Sequence, residues 1–334
     1  MDKIRTVCIP ACENHEGFYK VNLLLNWICP ICGEPRGEIK EGLSYDGSLR
    51  LNCNVWDNPC EHIDKYEDVR KEALQNGLNG ANRTTKYVVN LSGGKDSTAM
   101  LLEILRRNLP VDYILFADTS KDFPQMIAHI KKLQEYIKKK YPKAPPITTI
   151  KCDKSFDYLM FEHIKTRGKN KGKRGYGWAT MRSRWCTSTL KTAELDRFCK
   201  SLKCNVVNYV GIAVDEPMRL DYKVKYYKRK QFKLMKCYPL ADWNMTEAAA
   251  LQYCYDSGFD WGGLYKHFDR VSCWCCPLKN LKELKNLYKY YPELWQELKQ
   301  MDERSFNRFR ADYTVAQLDE RFKRELKDGG GNDN

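Results

Sequence analysis

The sequence predicts an α/β fold: a doubly wound, mostly parallel sheet, preceded by a small cysteine-rich module and followed by a helical extension. Three observations predict it. From about residue 85 onward, short β-branched runs alternate with helical patterns, the order that builds a parallel sheet covered on both faces. The run Tyr87-Val-Val-Asn-Leu-Ser-Gly-Gly-Lys-Asp-Ser-Thr98 joins one such strand to a helix through a glycine loop. Cys8, Cys12, Cys29, Cys32, Cys53 and Cys60 crowd an amino-terminal stretch that has little periodicity.

Taken in order, residues 1–65 read as a metal-stapled, zinc-ribbon-like module. Residues 66–84 read as a helical linker ending in the polar run 76–82. Residues 85–277 read as the α/β domain. Its strands are expected at 87–91, 111–117, 147–151 and 206–212, with helical patterns opening near Ser97 and covering 124–140 and 188–200. Residues 278–334 are mostly helical and charged, and are expected to end in a disordered tail. In a parallel sheet the ligand lies beyond the carboxyl ends of the strands, where the Ser92 loop, Asp118 and Asp215 would gather.

The composition suits a soluble globular protein: 43% hydrophobic and 30% charged over 334 residues. No 18-residue apolar run and no export signal is visible, so neither a membrane partner nor secretion is expected. Fifteen cysteines without such a signal suggest metal or redox chemistry in a reducing cytoplasm rather than a disulfide scaffold. The formal charge of +14 favours an anionic partner, an adenine nucleotide or a nucleic acid. Between Lys165 and Arg184 there are eight basic residues and no acidic one. Six of the eleven residues from Lys223 to Lys233 are basic, interleaved with Tyr226, Tyr227 and Phe232. Such stretches suit phosphate contact with base stacking; solvated surface is the plain alternative.

A glycine loop between a strand and a helix turns backbone N–H groups and the positive helix end toward an anion. It does not fit the Walker A pattern. The run Ser92-Gly-Gly-Lys-Asp-Ser97 resembles instead the Ser-Gly-Gly-x-Asp-Ser signature of the PP-loop ATP pyrophosphatases. Four further segments strengthen the resemblance. Phe116-Ala-Asp-Thr-Ser-Lys-Asp-Phe-Pro124 is similar to the strand-end Asp-Thr motif of the phosphoadenosine phosphosulfate reductase branch. Arg184-Trp-Cys-Thr-Ser-Thr-Leu-Lys191 resembles its Arg-x-Cys-x4-Lys segment. Gly211-Ile-Ala-Val-Asp-Glu-Pro-Met-Arg219 and Tyr238-Pro-Leu-Ala-Asp-Trp243 resemble its two later motifs. These segments cover roughly residues 85–280 in the right order. The likeness is greatest to phage and bacterial members, including the sulfur-transfer ATPases of DNA phosphorothioation.

The resemblance implies that ATP is bound by Ser92, Gly93, Gly94, Lys95, Asp96, Ser97, Thr98, Asp118, Thr119, Gly211, Asp215 and Glu216. Hard cations want carboxylate oxygens, so Asp96 and Asp118 are candidates to share a Mg²⁺. Lys95, Lys191 and Arg219 would neutralise charge on the leaving pyrophosphate. Asp96, Lys191, Arg219 and Cys275 are thus the catalytic candidates.

Cys8-x3-Cys12 with Cys29-Pro-Ile-Cys32 has the spacing of two zinc knuckles, and four thiolates suit a structural Zn²⁺. Cys53, Cys60 and His62 are alternative ligands or parts of a second site. A second set is Cys273-Trp-Cys275-Cys276. Iron–sulfur reductases of the superfamily carry a Cys-Cys pair and then Cys-x2-Cys. Here Cys186 matches the second member of the pair, Trp185 replaces the first, and Cys275 is an extra thiol. Either all four of Cys186, Cys273, Cys275 and Cys276 hold a [4Fe–4S] cluster, or three do and one iron stays open. Zinc or buried free thiols are further alternatives. Cys152, Cys199, Cys204, Cys237 and Cys254 lack sequence partners and read as ordinary thiols.

The resemblance therefore implies an ATP-dependent enzyme that forms AMP and pyrophosphate. It would adenylate a DNA or RNA substrate for iron–sulfur-assisted sulfur transfer, with a sulfur-donor protein such as a cysteine desulfurase as partner. The alternative is a phosphosulfate reductase releasing sulfite. That chemistry needs an attacking thiolate, and no cysteine follows Cys276 unless Cys275 serves. A non-catalytic nucleotide-binding protein is a third reading.

Overall fold

The computed structural model describes residues 4–10, 20–45, 50–75, 85–168, 170–219, 234–271 and 273–328. Cys12, the polar run 76–82, the basic run 223–233 and the final residues 329–334 lie outside them.

The amino-terminal module is two antiparallel hairpins and a helix. β1 (Ile4–Pro10) pairs with β2 (Lys20–Asn26), and β3 (Lys40–Tyr45) with β4 (Arg50–Val55). Alternating residues Val7, Ile9, Leu23 and Leu25 point inward and meet Val69 and Ala73 of α1 (Tyr66–Gln75). The helix expected as a linker therefore supplies part of the module's core. Arg36, with its guanidinium fully enclosed, holds the module together at 2.8 Å from Asp64 and 2.6 Å from Glu72. Burial works against that charge, but the two carboxylates outweigh it and hold the guanidinium pKa above its ordinary value.

The α/β domain carries five parallel strands in the order β7-β6-β5-β8-β9. These are β5 (Thr85–Leu91), β6 (Tyr113–Asp118), β7 (Ile147–Lys151), β8 (Asn205–Val210) and β9 (Leu234–Cys237). The chain runs outward from β5 through β6 to β7, then returns to the other side of β5 with β8. The order reverses between β5 and β8, and this switch point opens a crevice at their carboxyl ends. Side chains alternate between faces. Tyr87, Val89 and Leu91 face α2 (Lys95–Arg106) and α3 (Pro124–Lys140) in the larger core. Val88, Leu115 and Val206 face the opposite side, where α4 (Ala193–Ser201) supplies Cys199.

The first turn of the helix expected at 188–200 belongs instead to a π-helical stretch, Cys186–Thr192, that precedes α4. Short α5 (Pro239–Asp242) and α6 (Glu247–Asp256) follow the sheet. The terminal helices α7 (Leu281–Tyr290), α8 (Pro292–Arg304) and α9 (Val315–Asp328) do not stand apart. Leu284, Trp295, Leu298, Leu318 and Phe322 belong to the same apolar cluster as Leu91 and Phe116. No described helix is long and apolar enough to cross a membrane.

Candidate active site

The phosphate loop follows β5. Gly93 has φ +82°, and a Cβ there would lie 2.5 Å from Met126 Sδ, so glycine is required on both counts. The loop is braced from beneath. Trp261 Nε1 donates to the Gly93 carbonyl (2.7 Å), and the Lys95 N–H donates to the Tyr265 hydroxyl (2.7 Å). Ser97 Oγ lies 2.9 Å from Ser92 Oγ and accepts the Ser92 N–H at 3.2 Å. Thr98 is fully buried, with its hydroxyl 3.0 Å from His129 Nε2, so it faces the core.

Gly211, just past β8, lies against the first turn of α2. A Cβ on Gly211 would approach the Ser97 backbone N and Cα to 2.8 Å. The loop it begins carries Asp215 and Glu216. Asp215 Oδ1 accepts the Glu247 N–H (3.0 Å) and so caps α6. This brings the Glu247 carboxylate beside Asp96 and Glu216, with one oxygen from each within 4.8 Å of the others. Asp96 Oδ1 is buried with no hydrogen-bond partner. Burial, reinforced by Glu247 and Glu216 and opposed by Lys95, pushes the Asp96 carboxyl up to about 6. Lys95 Nζ lies 2.8 Å from Glu247 and 3.5 Å from Asp96. Glu216 is also bonded to Arg219, and to Arg270 at 3.0 Å.

The expectation that Asp96 and Asp118 share a cation did not include Glu247, which together with Glu216 faces Asp96 here. Asp118 sits at the end of β6, accepts the Ser120 N–H (2.7 Å) and lies 3.5 Å from Lys151. Sequence reasoning passed over Glu247, Tyr265 and Trp261. The only local sign of Glu247 is its place after the helix-capping Thr246.

The loop after β6 touches the second cysteine set. Thr119 Oγ1 donates to Asp122 (3.1 Å) and lies 3.6 Å from Cys273 Sγ. The Trp274 N–H donates to the Lys121 carbonyl at 3.1 Å. Lys121 is buried between Asp157 (3.2 Å) and Glu297 of α8 (2.8 Å). Cys186, Cys273, Cys275 and Cys276 interact electrostatically with one another, and Lys191 and Lys279 face them. Lys191 also lies 3.8 Å from Asp122. Cys275, the candidate nucleophile, is 1% exposed, whereas Cys186, Cys273 and Cys276 are partly exposed.

In the amino-terminal module, ligand atoms of Cys29, Cys32, Cys60 and His62 lie within 4.8 Å of one another. Cys29 Sγ is 3.6 Å from His62 Nδ1. Hydrogen bonding from the Cys32 backbone draws the Cys29 thiol down to about 7, toward the thiolate a metal binds. Gly33 at φ +79° lets the knuckle turn. Cys60 and His62, two of the alternative ligands, thus join Cys29 and Cys32, while Cys12 lies outside the described residues. Cys8 lies in β1 near Cys53 and outside this group.

Residues 86–279 match the phosphoadenosine phosphosulfate reductase domain, and the chain belongs to that family. Among curated proteins it is 22% identical over 280 residues to an uncharacterized protein of Methanocaldococcus jannaschii, covering 78% of this chain and 49% of that one. A second uncharacterized protein of the same organism is 27% identical over 222 residues, covering 64% and 47%. The chain thus spans about half the length of the curated relatives it matches. Among solved structures it is similar to the U34-tRNA thiolase NcsA from Methanococcus maripaludis with its [4Fe-4S] cluster. That likeness has 14% identity and a TM-score of 0.33, covering 91% of this chain and 89% of the other.

Proposed function

We propose that this protein splits ATP between its α and β phosphates, adenylates an oxygen of a nucleic acid, and directs sulfur to the activated position. One observation carries this reading. The loop 118–122 follows the carboxyl end of β6, which pairs with the β5 strand that carries the phosphate loop, and it touches Cys273 and Trp274.

In the first step a substrate oxygen bonds to the α phosphorus, the α–β bridging bond breaks, and pyrophosphate leaves. In the second, sulfur at the sulfide level bonds to the substrate atom bearing that oxygen, and AMP leaves. No net oxidant is needed. The glycine loop and the amino end of α2 receive the phosphates. Lys95 and Arg219 exchange their carboxylate partners for phosphate oxygens as charge builds. Thr98 shapes the loop from behind, and Tyr265 fixes the backbone at Lys95.

Three bound groups fit the donors present. Asp96, Glu216 and Glu247 offer hard oxygens, one of them unpartnered, and would hold Mg²⁺. Cys186, Cys273 and Cys276, the partly exposed members of the second cysteine set, would hold a [4Fe–4S] cluster with one iron open to sulfur, and Lys191 and Lys279 would offset its thiolate charge. Cys29, Cys32, Cys60 and His62 would hold a structural Zn²⁺. When bound, these groups supply phosphate neutralisation, a sulfur-binding iron and a staple for the module.

The family match supports a second reading, cleavage of a phosphosulfate nucleotide to sulfite. Enclosure of Cys275 weighs against it, because an attacking thiolate must reach the sulfur. The test is an anaerobic incubation with equal ATP and phosphoadenosine phosphosulfate in the presence of mixed RNA and DNA. AMP and pyrophosphate are expected. Sulfite and adenosine bisphosphate would overturn the proposal.

A further inference from the structure

The described residues of the stretch 165–184 are held by backbone hydrogen bonds. Its first half is a hairpin tied by Lys165 N–H to the Lys173 carbonyl (3.0 Å) and Gly172 N–H to the Lys165 carbonyl (2.8 Å). The return strand is fastened to the turn before it. Gly175 N–H donates to His163, Tyr176 N–H to Leu159 and Gly177 N–H to Met160. Two glycines make this fit possible. A Cβ on Gly175 would lie 2.4 Å from the Met160 carbonyl, and one on Gly177 would lie 2.1 Å from Asn307 Oδ1. Basic side chains are therefore presented from a fixed backbone: Arg167, Lys171 and Lys173 are exposed and Lys165 is half-buried.

The charge of this region is strongly one-sided. From Lys151 to Arg184 the sequence holds ten basic residues and three acidic ones, Asp153, Asp157 and Glu162. Asp157 already pairs with Lys121, and Glu162 with Arg174. Burial, then the charge of Lys173, holds the Lys165 ammonium below its ordinary value.

Aromatic rings run along the same region. Tyr158 is 42% exposed and leads through His163 (6.0 Å) and Tyr176 (5.1 Å) to Trp185, stacked on Tyr176 at 5.4 Å. Trp185 immediately precedes Cys186. Lysines flank the row: Lys154 lies over Tyr158 (5.8 Å), and Lys165 lies over Tyr176 (5.8 Å) and Phe306 (4.9 Å). Phe306, from the turn after α8, is 66% exposed. Half-exposed rings edged by cations without a carboxylate partner among the described residues match the two faces of a single strand, its stacked bases and its phosphates.

We propose that this face binds single-stranded nucleic acid, with phosphates on Lys165, Lys171 and Lys173 and bases stacked on Tyr158 and Phe306, so that the strand leads toward Cys186. The proposal rests on the nucleic-acid reading above and deepens it.

The test is fluorescence anisotropy of the full chain with labelled single-stranded RNA, single-stranded DNA and duplex DNA over a salt series. Lys171→Ala with Lys173→Ala is expected to weaken binding about tenfold and to flatten the salt slope by about 1.4 for a single strand. Lys138→Ala with Lys139→Ala removes equal charge from α3 and is expected to change binding less than twofold. Tyr158→Ala and Phe306→Ala are each expected to weaken binding at least fivefold at unchanged salt slope, a stacking signature. Tyr158→Phe is expected to restore it. The single strand bound more tightly, RNA or DNA, identifies the source. Equal losses in the hairpin and α3 variants, or equal affinity for duplex, would overturn the face while leaving the nucleic-acid reading intact. No binding of any oligonucleotide by the unaltered chain at low salt would overturn both.

Discussion

Thr119 Oγ1 lies 3.6 Å from Cys273 Sγ although 154 residues separate them in the chain. With the Trp274 N–H on the Lys121 carbonyl, this contact fastens the cysteine loop to the end of β6. Thr119→Val keeps the shape but removes the hydroxyl that reaches both Asp122 and Cys273. Alkylation of Cys273 in the metal-free protein, followed by mass spectrometry, is expected to slow severalfold, because the hydroxyl that favours the Cys273 thiolate is gone. Thr119→Ser is expected to react at the original rate.

Gly211 allows β8 to end against the first turn of α2. Alanine there meets backbone rather than a movable side chain. Gly211→Ala is expected to cost about 1–3 kcal/mol by overpacking and to weaken ATP binding, read by denaturant melts and by calorimetry.

The four donors in the amino-terminal module make a prediction about zinc. Cys60→Ser and His62→Ala are expected to lower the zinc content well below the roughly one ion per chain of a filled tetrahedral site. Cys8→Ser is expected to leave it unchanged. Elemental analysis of the purified proteins decides.

His129 gives a pH dependence. Its ring stacks on Trp261 at 4.5 Å, and burial pushes its pKa down to about 4. Between the ordinary value of about 6.5 and the folded value the unfolded chain binds a proton that the folded chain does not. Stability from this group is thus complete above about pH 6.5 and is lost as pH falls toward 4, by roughly 3 kcal/mol. Urea melts across this window are expected to have a shallower pH slope in His129→Gln.

Much of this architecture is legible in the sequence, since β-branched strands and a glycine loop obey local rules. Helix 124–140 and strand 147–151 are found at the expected residues. Boundaries fail where tertiary contacts decide. The strand expected at 206–212 stops at Val210, because Gly211 must leave the sheet to lie against Ser97. Glu247 is invisible in sequence because Asp215 draws α6 into the crevice from 32 residues away. Cys60 and His62 join Cys29 and Cys32 only once the second hairpin has brought the chain back.

The family match ends at residue 279, but the apolar cluster continues through Phe322. A protein cut at that border would retain all five strands and the phosphate loop. It would also strip Tyr291 from Phe123, 5.5 Å away, and remove Asp302 from the Trp178 indole it accepts at 2.8 Å. The stretch matched by the family domain is therefore shorter than the apolar unit it belongs to. Grafts or truncations planned on shared ancestry alone would sever the latter, and the safer seam for such work lies on the far side of α9.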